Sequence, residues 1–168
     1  MARQTSKVRI IHAGGLEVLT TLEVDFLESM IPLFQITSTV PRANLEICYC
    51  HTLDSLLDAL FRPGADVIHL SCHGTANRIY VGEHDWLTPT ALKRAARASD
   101  VLIEGAVLAT GCQLFSDAWV SAFRDAEATA YVAAKRAISP RESTIFSASF
   151  CHDAWRIGWP SKFAVRGP

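Results

Sequence analysis

The apolar positions of this 168-residue chain fall into short continuous runs that alternate with stripes of helical spacing. Val8, Ile10 and Ile11 read as a first strand that ends at His12, before the Gly14-Gly15 break. Across residues 16–34 two patterns overlap: Leu16, Val18, Leu22 and Val24 partly alternate, whereas Leu19, Leu22, Phe26 and Met30 favour a helix. Leu45 to Cys50 is a second strand, and Leu53, Leu56, Leu57, Leu60 and Phe61 form a helical stripe behind a Thr52 cap, stopped by Arg62-Pro63-Gly64.

Residues 65–72 are apolar on both faces, as a central parallel strand covered by helices requires. Ile79-Tyr80-Val81 and Trp86-Leu87 flank a turn and predict a hairpin, after which Thr88-Pro89 caps a helix from about 89 to 98. Residues 101–109 predict a fourth buried strand, 117–126 a helix, and Ala130 to Ala134 a further strand. Ile145, Phe146, Phe150, Ala154 and Ile157 trace the last helical face. Strand and helix alternate throughout, so the expected fold is a three-layer α/β/α sandwich with a mostly parallel sheet, in one domain spanning 1–168.

A 49% hydrophobic and 20% charged composition is that of an ordinary globular domain, and a net charge of −1 gives no electrostatic case for nucleic acid or an anionic membrane. No apolar run approaches the roughly 20 residues that span a bilayer. The first seven residues lead straight into a strand rather than a signal-peptide core, so a cytoplasmic protein is expected. Five cysteines, an odd number set mostly in apolar stretches, argue against a disulfide scaffold.

In a parallel sheet, reacting groups collect beyond the carboxyl ends of the strands, and His12, His73 and Cys112 all fall there. His73 and Cys112 lie 39 positions apart, an interval that one crossover unit fills, so adjacent strands bring them together. A His-Gly after one buried strand and a Gly-Cys after the next is the arrangement of a cysteine nucleophile with a histidine partner.

These segments resemble the caspase-like cysteine peptidases, and within them the CHAT-domain and separase-like branch. The likeness is carried by VIHLSCHG with His73-Gly74, YVGEHDWLTPTALKRA, GAVLATGCQ with Cys112, and AYVAAKRAISPRESTIFSASFCHDAWRIG, over residues 8–158 in element order. It implies a caspase-like fold and a cysteine-type endopeptidase, a thiol protease acting on proteins or peptides in a regulatory pathway of the cell-death or defence type. Cys112 would attack the carbonyl, a loosely spaced His73 would protonate the departing amine, and the main-chain N–H groups of Gly74 and Cys112 would hold the oxyanion. No metal or other cofactor is implied. Because almost nothing lies outside the domain, regulation is expected from a separate protein partner, or the chain works alone.

Thr110 stands where relatives that cut after basic residues carry an acid, while Lys135 or Arg136 would meet an acidic substrate side chain or simply face solvent. His12 would wall the cleft. Cys72 reads as structural and His69 has no assigned role. Zinc is disfavoured because Cys48, Cys50, His51, Cys72 and His73 include no C-x2-C pair, and the adjacent Cys151 and His152 of a helix do not face each other. Two other functions stay open: a catalytically silent pseudo-peptidase used for protein binding, and a flavodoxin-like ligand-binding domain. Against the latter, Gly14-Gly15 is followed by neither a Walker lysine nor a G-x-G-x-x-G pattern.

Overall fold

The computed structural model describes residues 7–14, 44–82 and 84–157. Its elements are β1 (Lys7–Ala13), β2 (Asn44–Cys50), α1 (Leu53–Phe61), β3 (Val67–Thr75), β4 (Arg78–Tyr80), β5 (Trp86–Leu87), α2 (Pro89–Ala98), β6 (Ala106–Ala109), α3 (Asp117–Asp125), β7 (Ala130–Ala133) and α4 (Pro140–Ile157). The helix expected in residues 16–34 lies outside the described residues.

Local chemistry sets the helix starts. Thr52 Oγ1 accepts from the Ser55 N–H at 3.2 Å while Ser55 Oγ accepts the Thr52 N–H, a reciprocal cap that opens α1. Thr88 Oγ1 accepts from the Ala91 N–H at 3.1 Å, with Pro89 in the first helical position, where its missing N–H costs nothing. The fourth buried strand is shorter than its apolar run. Before Ala106, the Ile103 N–H donates to Ala126 O at the end of α3 and the Gly105 carbonyl accepts from the Thr129 N–H just before β7, so neither residue bonds to β3.

Five strands pair in parallel in the order β2-β1-β3-β6-β7. Residues His73 to Thr75 of β3 outrun that sheet and pair antiparallel with β4, which pairs with β5. Counting the parallel strands alone, the order is 2-1-3-4-5, that of flavodoxin-like doubly wound folds. The caspase-like part of the fold expectation is corrected accordingly, while the α/β/α layering and the parallel sheet stand.

The two faces of the sheet differ in chemistry. Ile11, Ala13, Ile68, Leu70, Cys72, Val107 and Ala109 project into one apolar core with Leu56 and Leu60 of α1, Leu92 and Ala96 of α2, and Trp119, Ala122 and Phe123 of α3. The alternate residues are buried on the other face: Val8, Ile10, Val67, Ala106 and Leu108 toward the amino ends, then His12, His69, Ser71 and Thr110 toward the carboxyl ends. Ser147 of α4 reaches that polar half. Among the described residues, no helix is long and apolar enough to cross a membrane.

The amino end of the sheet is held by a fully buried arginine. Arg9 Nε donates to Glu46 Oε2 at 2.9 Å, and its Nη atoms donate to the carbonyls of Ala59, Arg62 and Pro63, capping the end of α1. Burial raises the Glu46 carboxyl, but hydrogen bonds from Arg9, Arg62 and Lys7 outweigh it and hold the pKa at about 2, below its ordinary 4.5. A depressed carboxylate stabilises the fold above its unfolded pKa, and that stability is lost as pH falls through the folded one. Urea melts from pH 6 to 2 are therefore expected to show stability falling between pH 4.5 and about 2. In Glu46→Gln part of that slope disappears, while the depressed Glu142 carboxyl keeps contributing to it. An unchanged slope in the variant contradicts the network.

Candidate functional site

The carboxyl ends of β3, β6 and β7 are locked together by the turn that follows β6. The Thr110 N–H donates to Leu70 O at 3.0 Å, extending the β3–β6 ladder by one residue. Gln113 adopts φ 56°, turning the chain so that its N–H donates to Arg136 O and the Phe115 N–H to Ala134 O. The Tyr131 hydroxyl donates to Leu114 O at 2.9 Å, and burial pushes its phenol well above the ordinary range. Leu114 is fully buried between Gly74 and Gly111. A Cβ on either glycine would lie 2.6 Å from its methyl carbons, so a side chain at either position would force Leu114 to move.

Between the ends of β6 and β7 and the first turns of α4 lies a cavity of about 430 Å³. Its wall is mostly apolar, from alanines of β6 and β7, Ile138 and Phe146, with Thr110, Lys135, Arg136 and Glu142 as the polar groups. Lys135 Nζ sits 5.3 Å from the centroid of the Phe115 ring. Arg136 Nη2 pairs with Glu142 Oε1 at 2.7 Å, raising the guanidinium pKa. The other Glu142 oxygen accepts from the N–H and hydroxyl of Ser139, and Ser139 Oγ accepts the Glu142 N–H, a capping box that starts α4. Hydrogen bonds from Arg136 and Ser139 hold the Glu142 carboxyl at about 2.

The sequence candidates separate into two groups. Thr110, Lys135 and Arg136 come together in the cavity. Cys112, half-buried, stands at its edge through the Sγ–H donated to Ile138 O at 3.7 Å. His73 lies on β3 opposite Tyr80, and Gly74 beside it is extended strand paired with Ile79. His12 is buried on β1 with its ring edge-on to Tyr49 at 5.7 Å, three strands from β7. Among the described residues, no three His, Cys, Asp or Glu side chains form a group that could hold a metal ion.

Sequence reading missed His69. It is fully buried on β3, with Nε2 3.1 Å from Thr110 Oγ1 and 3.3 Å from Ser147 Oγ of α4, linking β3, β6 and α4. The signal lay in parity: residues 69, 71 and 73 of a strand share one face, so a histidine two and four places before Ser71 and His73 joins their polar layer.

The chain matches no protein-family model and no curated protein. Its structure is similar to that of a short-chain flavodoxin associated with a non-canonical PDU bacterial microcompartment. The two share 9% sequence identity and a TM-score of 0.45 over 90% of this chain and 97% of that one. The Cys112 thiol is hydrogen-bonded to Ile138 O rather than to His73, so the expected Cys-His dyad is not formed. The expected CHAT-type assignment, cysteine endopeptidase activity and hydrolase class are corrected on these findings, and the caspase-like pseudo-peptidase falls with them.

Thiol accessibility tests the packing around this edge. Cys50 and Cys72 are buried, and burial pushes the Cys50 thiol up to about 11 and raises that of Cys48. Brief iodoacetamide treatment of the folded protein at pH 8, read by peptide mass, is expected to modify Cys112 ahead of Cys48, Cys50 and Cys72. Labelling of Cys50 as fast as Cys112 contradicts the packing of α1 on β2.

Proposed function

We propose that the protein is a small-molecule-binding domain whose cavity at the ends of β6 and β7 takes an organic anion with an aromatic or aliphatic body. The observation that carries this reading is the pairing of an apolar wall with two cations and a hydroxyl at the carboxyl ends of β6 and β7. About 430 Å³ is enough for a compact organic molecule. Arg136 is partly neutralised by Glu142, so Lys135 and the open side of Arg136 would meet the anion, while Ile138 and Phe146 would cover its body. Four described cysteines present as thiols favour a reducing, cytoplasmic setting.

The described residues at the β1/β3 switch point, where flavodoxins bind flavin mononucleotide, offer no support for that ligand. β1 ends in His12-Ala13-Gly14, offering no side-chain hydroxyl or cation at its tip beyond the buried imidazole, and the cavity cations lie three strands away beside β7.

Naphthalene-2-sulfonate is a suitable probe because its charge is constant across ordinary pH. Amide NMR titration is expected to move Thr110, Lys135 and Arg136, whereas the neutral sulfonamide and inorganic sulfate bind more weakly. Lys135→Ala and Arg136→Ala should each weaken binding about fivefold, the loss of one solvent-facing charge-assisted contact. Binding that leaves these amides still, or that ignores both substitutions, rules out the site.

A further inference from the structure

We infer that Glu142 is the specificity-determining residue of this cavity and selects ligands that carry a single negative charge, a carboxylate or sulfonate rather than a phosphate monoester. The inference rests on the ligand-binding reading above and deepens it by naming the class of anion. Among the described residues of the cavity wall the charged groups are Lys135, Arg136 and Glu142, two cations against one carboxylate. Arg136 Nη2 is already paired with Glu142 Oε1 at 2.7 Å, and its Nη1 donates to Ala137 O at 3.0 Å. Lys135, with Nζ over the Phe115 ring at 5.3 Å, supplies the remaining positive charge.

The carboxylate is tethered to the wall. Its other oxygen, Oε2, accepts from the Ser139 N–H at 2.8 Å and from the Ser139 hydroxyl at 3.0 Å, the bonds that open α4. Turning Glu142 away from a ligand would break the Arg136 pair and the helix cap together. The same partners hold its pKa at about 2, so the negative charge is present at neutral pH. A ligand therefore meets a wall with one net positive charge. Attraction to that wall grows in proportion to the ligand's charge, whereas the cost of stripping water from the headgroup grows with the square of that charge. One net charge favours a monoanion, and two would favour a dianion. Arg136 and Glu142 are 72% and 49% exposed, so water limits the discrimination to a few-fold effect.

Naphthalene-2-sulfonate and 2-naphthyl phosphate share a ring system and carry one and about two negative charges at pH 8. Titration calorimetry of both on the full chain at low salt tests the inference. Wild type is expected to bind the sulfonate about threefold more tightly than the phosphate. Glu142→Gln keeps a side-chain acceptor for Ser139 and with it the capping box. In that variant the phosphate should tighten about tenfold and the sulfonate about twofold, so that the phosphate becomes the tighter ligand. The same change for both probes in Glu142→Gln, or tighter binding of the phosphate by wild type, overturns the inference, while the Lys135 and Arg136 dependence of sulfonate binding keeps the ligand reading. A wild type that binds neither probe overturns both. Should Glu142→Gln not fold, the order of the two probes on wild type decides.

Discussion

Everything in this fold depends on β3 being buried on both sides. A strand paired in parallel on each edge has no solvent-facing side, so both sets of its alternating side chains must find partners inside the protein. Ile68, Leu70 and Cys72 do so by dispersion and the hydrophobic effect, against the core shared with α1, α2 and α3. On the opposite face, beyond Val67, the chain places His69 and Ser71, groups that cannot be buried without hydrogen bonds. Nε2 of His69 meets that demand with hydroxyls from β6 and α4. The polar half of β3 therefore specifies where β6 and α4 must lie, which an apolar strand could not do so sharply.

Element type was legible in the sequence wherever periodicity and punctuation agreed. The nine residues of α1 stop at the Arg62-Pro63-Gly64 break and start behind Thr52, and α2 starts on Pro89 behind Thr88, because these residues act through local backbone chemistry alone. The start of α4 was equally local, yet the helix was read only from Ile145. Ser139-Pro140-Arg141-Glu142 is a capping-box sequence with proline at the first position, and the structure shows its reciprocal bonds. Apolar residues 101–103 were read as strand because hydropathy does not say which neighbour a backbone will bond. Here the end of α3 took the hydrogen bond of Ile103.

The functional expectation went astray for a different reason. A His-Gly and a Gly-Cys at adjacent strand ends were taken as chemistry, but much of their composition is steric: Gly74 and Gly111 are what allow Leu114 to sit between the ends of β3 and β7. Cys112, in the same tight turn, satisfies its thiol on the carbonyl of Ile138. The residues that do gather, Thr110, Lys135 and Arg136, were named individually from their positions after two strands. That they share one cavity follows from β6 and β7 being neighbours, which the pattern of runs does not encode.

The sheet is polar at both ends, but its polar groups are organised oppositely, and this bears on where function can reside. At the amino end, Arg9 and Glu46 are mutually saturated: the guanidinium donates to a carboxylate and three carbonyls, and the carboxylate also receives Lys7 and Arg62. Breaking such a set leaves a buried charge uncompensated, so it resists rearrangement and suits a structural role. At the carboxyl end the groups are hydroxyls and imidazoles, each able both to donate and to accept. For the anion proposed at this end, neutral groups of this kind offer polar contacts that the mutually saturated ion pairs of the amino end do not.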